Sequence, residues 1–239
     1  MSSRSRAGAA CLVVGPFLAL VSRFISRSES HQLVDQAAAF TAHPAAEQLG
    51  LGLDTLAAVV LVGGLSWLTW ATHERSPRLA FAGAVVGVLG LSSVVCDDSV
   101  HLAGARVAQG HSATQAAALI SPLYSGAVVV VGPLSVLTAI GLVLLAVAAA
   151  RVGAPRWAVA VTCGGLLAES AGCGSDSRYL AAAGFALSAL GFAGMLRLML
   201  SPVAVPEPGL AAPARLNHRP VGRWTGDGRC SARQLGELH

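Results

Sequence analysis

Residues 50–72 read GLGLDTLAAVVLVGGLSWLTWAT, an apolar run broken by a single charge, Asp54. About 20 apolar residues in a helix cross the ~30 Å hydrocarbon layer of a bilayer. The run is continuous and lacks the alternation of a barrel strand, so it predicts a transmembrane helix. Immediately after it, Ser76-Pro77-Arg78-Leu79-Ala80 opens another such run. Proline fits the first turn of a helix, where its missing N–H costs little, and arginine beside it suits an inner membrane interface.

Working outward, spans are expected near 7–25, 50–72, 79–97, 124–150, 157–172 and 179–200. The predicted fold class is all-α: a polytopic membrane helix bundle of about six transmembrane helices over residues 1–200. Residues 201–239, which contain Pro and Arg, read as a disordered cytoplasmic tail. Composition agrees. Of 239 residues, 54% are hydrophobic and 12% charged, against about 25% charged in soluble domains. Mean hydropathy is +0.64. All 16 basic residues are arginine, which with the abundant Ala and Gly suggests a GC-rich, actinobacterial genome. Arg4 and Arg6 precede an apolar run as in a signal peptide, but no small-residue cleavage site follows, so a retained first span is expected.

Placing both termini in the cytoplasm puts twelve arginines inside, and four, Arg23, Arg27, Arg106 and Arg178, outside. That bias fits a multi-pass plasma-membrane protein. Trp67, Trp70 and Trp157 then mark the inner interface, and Tyr124 and Tyr179 the outer one. The first outer loop, roughly 26–49, contains His31 and His43. The second, roughly 98–123, carries a short helix over Ala116–Ile120 that Ser121-Pro122 ends. Ala154-Pro155-Arg156-Trp157-Ala158 repeats the Pro–Arg pattern of the first inner loop. It reads either as a duplicated two-helix unit or as two independent solutions to one local problem.

Small residues recur at helical spacing: Gly83, Gly87 and Gly90 in the third span, Gly184, Ser188, Gly191 and Gly194 in the sixth. They allow close helix packing. Two uses are open: packing within one bundle, or a homo-oligomer or membrane-protein partner docked through Gly83, Gly87, Gly184 and Gly191. Besides such contacts, the lipid bilayer is the expected partner, and nucleic acid is not.

Asp54, Asp97, Asp98 and Glu169 all fall toward the outer side of this topology. A carboxylate inside a span is costly unless paired, protonated or wet. Glu169 lies deepest, and its alternative reading is a fifth helix that ends early at the glycines Gly172 and Gly174. His101 follows Asp97 and Asp98 by four and three residues, so one helical turn brings it to their face. Asp54 near a helix N-terminus has a dipole reason to be there. The candidate outward polar site is therefore Glu169, Asp97, Asp98, His101, Asp54 and His43. Cys96 and Cys173 form a candidate disulfide on the outer face.

No cofactor or metal is expected. None of the seven histidines falls inside an expected span, which argues against a bis-histidine haem. There is no P-loop, dinucleotide fingerprint or HExxH. A catalytic function is disfavoured without being excluded, and neither a broken helix nor an inverted repeat is evident.

The run Ser76–Ala80, the acid Asp97, the stretch Leu119-Ile120-Ser121-Pro122-Leu123, and Gly141–Ala146 leading to Ala154–Ala158 resemble a family of six-span actinobacterial integral membrane proteins of unknown function. The resemblance covers roughly residues 40–200. It implies six spans and carries no activity. The leading functional expectation is a small transporter or ligand-binding bundle with an outward acidic and histidine-bearing mouth. The alternatives are a non-catalytic scaffold or regulatory subunit, and a membrane-bound enzyme.

Overall fold

The structure, a computed structural model, describes residues 3–26 and 32–200. The expected tail over 201–239 and His31 lie outside the described residues. Those that are described form helices and no strands. In chain order these are α1 (Ser3–Ile25), α2 (Leu33–Ala42), α3 (Pro44–His73), α4 (Pro77–Val107), α5 (Ala113–Leu123), a π-helical turn (Tyr124–Val128), α6 (Val129–Leu134), α7 (Val136–Val152), α8 (Arg156–Gly174) and α9 (Arg178–Leu200).

Five segments are long and apolar enough to cross a membrane: Arg6–Ile25, Pro44–His73, Pro77–Val107, Val131–Val152 and Arg178–Leu196. The fifth expected span, 157–172, forms the helix α8, which falls outside that group. Arg156, Glu169, Thr162, Ser170 and four glycines dilute its apolar character.

Six helices close into a ring. α1 packs on α3, α3 on α4, α4 on α7, α7 on α8, α8 on α9, and α9 returns to α1, while α3 also touches α7. Successive members are antiparallel. A Cβ on Gly8, early in α1, would meet Trp67 late in α3, whereas one on Gly50, early in α3, would meet Ser26 beyond the end of α1. Leu12, Leu65, Leu68, Leu91, Leu142, Leu145, Leu166, Phe192 and Met195 fill the ring. The outer surface is apolar as well: Phe17, Phe81, Leu89, Leu167 and Leu190 are exposed. A helical ring that is apolar inside and out suits a lipid solvent.

Glycines set the tightest contacts, since helices in lipid associate by close packing rather than by hydrophobic exclusion. A Cβ on Gly83 would lie 3.0 Å from the Gly141 carbonyl on α7, and one on Gly191 would lie 2.8 Å from the Ala158 carbonyl on α8. Gly87 faces Leu65 and Gly141, and Gly184 faces Gly165 and Glu169. The four glycines considered for a partner interface are thus buried against helices of their own chain.

Both loops expected on the outer side, 26–49 and 98–123, contain more helix than expected. α4 runs past residue 97 to Val107. α5 spans Ala113–Leu123, where only Ala116–Ile120 was expected. It opens on a capping box: Ser112 Oγ accepts from Gln115 N at 3.4 Å, and Gln115 Oε1 accepts from Ser112 N at 3.2 Å. α2 packs on α5 and on the end of α4, with Ala37 and Phe40 meeting Ala116, Ile120 and Ala105, forming a cap on one end of the ring.

The expected continuous span 124–150 is broken. Pro122 lies inside α5 instead of ending it, and the π turn follows directly. Pro133 removes a second donor, and the chain tightens at Ser135, whose N–H and Oγ both bond the Gly132 carbonyl, at 3.1 and 2.6 Å. α7 starts only after this break. Missing proline donors are ordinary causes of such re-registration. At the opposite end, Gly153 takes φ +111° and closes α7, a conformation few other residues tolerate. Arg75 there donates to the Val152 carbonyl at 3.4 Å, tying the two short loops together. Trp70 and Trp157 are exposed at this end, as interface anchors would be. Trp67 is instead buried in the core, and Tyr124 is half-buried.

Candidate functional site

At the capped end the ring encloses a cavity of about 610 Å³. Its charged lining draws on five helices of the ring, α9 among them through Arg178. α1 contributes Arg23 two residues before its end, where a cation meets the favourable C-terminal dipole. α3 brings Asp54, α4 brings Asp97, Asp98 and His101, and α8 brings Glu169. Five of the six residues expected to form a polar site therefore converge.

His43 does not. It is exposed and joins α2 to α3. Its backbone serves both helices, donating to Ala39 O at 2.9 Å and accepting from Glu47 N at 3.1 Å. That capping role explains why the residue sits where it does.

Arg23 Nη2 lies 3.4 Å from Asp54 Oδ2, and the guanidinium stacks 5.7 Å from the Phe185 ring centroid. Asp98 is buried and accepts from Thr55 Oγ1 at 3.2 Å, across the α3–α4 contact. The two neighbouring aspartates therefore part company: only Asp97 pairs with His101. His101 Nδ1 donates to the Asp97 carbonyl at 2.9 Å and lies 3.7 Å from Asp97 Oδ2. A carbonyl only accepts, so Nδ1 carries the proton in that contact. The imidazole meets the Tyr124 ring edge-on, with centroids 4.9 Å apart. Because α4 extends to Val107, His101 lies within a helix long and apolar enough to cross a membrane, contrary to the expectation that no histidine does.

Glu169 is also inside its helix. α8 runs five residues past it and ends at Gly174, one of the glycines considered for that end. Gly184 sets its position: a Cβ there would lie 2.7 Å from Glu169 Cα, so α9 crosses α8 at this residue. A carboxylate held in such surroundings favours a counter-charge, a proton or water beside it.

Several lining residues carry no distinctive sequence signal. Gln36 hangs from α2 in the cap. Tyr124 belongs to the π turn. Gly132, Pro133 and Ser135 come from the break before α7, Val136 and Thr138 from the first turn of α7, and Arg178 opens α9. π turns and helix breaks recur at functional sites in helical proteins. The bridge considered between Cys96 and Cys173 is absent. Cys96 is an exposed free thiol on α4, and α7 stands between α4 and α8 in the ring. Among the described residues, no three His, Cys, Asp or Glu side chains are grouped closely enough to hold one metal ion. No protein-family model, curated protein or solved structure matches the chain.

Proposed function

We propose that the chain is a six-span integral membrane protein whose cavity binds a small polar ligand, and that it moves that ligand together with protons. One observation carries this reading: Asp54, Asp97, Asp98, His101 and Glu169 meet in one cavity at one end of a ring with an apolar exterior. Groups so costly to place in a membrane are characteristic of ion and proton pathways. The helix break beside them is the kind of element that lines transporter sites. The contacts of Gly83, Gly87, Gly184 and Gly191 within the chain favour this reading over a scaffold docked through those glycines.

In liposomes carrying a pH-sensitive dye inside, the reconstituted protein should dissipate an imposed proton gradient when a polar ligand that it carries is added, beyond the rate in protein-free liposomes. Glu169→Gln should slow that by about tenfold or more while the protein stays folded, as expected for removal of an intramembrane proton site. An unchanged rate in the variant would sink the proton-linked reading.

In this proposal the cavity faces outward and both termini are cytoplasmic, because Arg75, Arg78, Arg151 and Arg156 cluster at the opposite end. With the five native cysteines replaced by serine, Gln109→Cys, in the exposed turn after α4, should react with a membrane-impermeant maleimide in intact cells. Glu74→Cys, exposed between α3 and α4, should react only after permeabilisation. The inverse pattern would reverse the orientation.

A further inference from the structure

We infer that the cavity selects a small amphiphilic amine, seating its ammonium beside Asp97, Gln36 and Tyr124 and its apolar body against the aliphatic floor. This inference rests on the binding role proposed for the same cavity, and it names the ligand class.

The first support is a set of buried polar atoms that lack partners. Gln36 is only 7% exposed, and its Oε1 has no hydrogen-bond partner. The same holds for Asp97 Oδ1, Tyr124 Oη and Thr138 Oγ1, and all four residues line the one cavity. Leaving a buried polar group unsatisfied costs about 1–3 kcal/mol, so a site with several is shaped for something that satisfies them. Gln36 Oε1 and, once ionised, Asp97 Oδ1 can only accept, and the two hydroxyls can accept as well as donate. A group rich in donors suits such a set, and an ammonium is one.

Charge disfavours the opposite class. The lining carries five carboxyl groups, Asp54, Asp97, Asp98, Glu169 and Asp176, against Arg23 and Arg178, and Asp54 already engages Arg23. An anion would be repelled by each carboxyl that is ionised, and a cation drawn to it. A bare metal ion is poorly matched, because no three ligating side chains gather on one point among the described residues.

The rest of the lining sets the body of the ligand. Ala58, Leu61, Leu91, Val94 and Phe185 present an apolar wall. The volume of about 610 Å³ falls within the range typical of small-molecule sites. A ligand with one charged head and an aryl or alkyl tail uses both regions.

The test is calorimetric titration of the purified full chain in detergent with three probes of matched shape: 2-phenylethylamine, 2-phenylethanol and 3-phenylpropionate. The amine should bind, the alcohol should bind about tenfold more weakly or worse, and the carboxylate should not bind. Asp97→Asn and Gln36→Met should each weaken amine binding about tenfold, the scale of one lost charge-assisted hydrogen bond. Unaltered melting of either variant shows that it is folded. Carboxylate binding equal to that of the amine would overturn the inference, as would unaltered amine affinity in a folded Asp97→Asn variant. Amine binding without proton movement in liposomes would uphold the ligand class and overturn the transport reading. Proton movement without amine binding would do the reverse.

Discussion

Arg23→Met should lower the stability of the detergent-purified protein by about 3 kcal/mol, and adding Asp54→Asn should restore most of that loss. Arg23 and Asp54 are 3.4 Å apart, with side chains 29% and 14% exposed. Removing one member of a buried ion pair costs about 3–5 kcal/mol, mostly because the other charge is stranded. The partial exposure of Arg23 places the expectation at the lower end. Methionine retains an apolar stem of similar reach against Phe185, so the lost term is chiefly charge. Asparagine at 54 then removes the stranded carboxylate. Denaturation by SDS titration of the wild type, both single variants and the double variant closes the cycle. A double variant no more stable than Arg23→Met alone would mean that Asp54 is not the group Arg23 neutralises. A loss under about 1 kcal/mol would class the pair with solvent-screened surface bridges.

This pair marks the boundary of what the sequence discloses. The ring helices were legible because lipid requires long, continuous apolar runs, and α1, α3, α4 and α9 each supply one. Asp54, Asp97, Asp98 and Glu169 stood out because charge inside such runs is expensive. Arg23 carried no comparable signal. An arginine closing an apolar helix is what an interface anchor looks like, so only the fold reveals that it turns toward Asp54. Gln36 was hidden for a related reason, since it lies in a stretch that reads as a polar loop. Its burial depends on Phe40 and Ile120 docking α2 onto α5, a contact between distant segments. His43 differs in another way: it lies near a span, but its place at the α2–α3 junction keeps it out of the cavity lining. The break at Ser135 leaves no sequence signal, because apolar residues flank it on both sides, and proline within a membrane helix is tolerated often enough to predict nothing alone.

Gly141→Leu should destabilise the protein by about 3 kcal/mol or more, whereas Gly164→Leu should change stability by less than about 1 kcal/mol. The two substitutions are chemically identical and both fall within helices. At Gly141 a Cβ would press directly on the Gly87 backbone and lie 2.8 Å from the Gly83 carbonyl. Backbone cannot rotate aside as a side chain can, so α4 and α7 must separate. Overpacking typically costs about 1–3 kcal/mol, and more where the obstacle is rigid. At Gly164 a Cβ meets nothing within 4 Å. There leucine replaces a glycine whose backbone entropy costs a helix about 1 kcal/mol, an effect of the opposite sign. The α4–α7 contact also fixes the cavity, since Thr138 packs at Gly90 just beyond the helix break. Gly141→Leu should therefore also weaken amine binding in whatever fraction remains folded. Equal stability of the two variants in the same SDS titration would mean that α4 and α7 do not meet along their glycines, and the ring would have to be closed by another route.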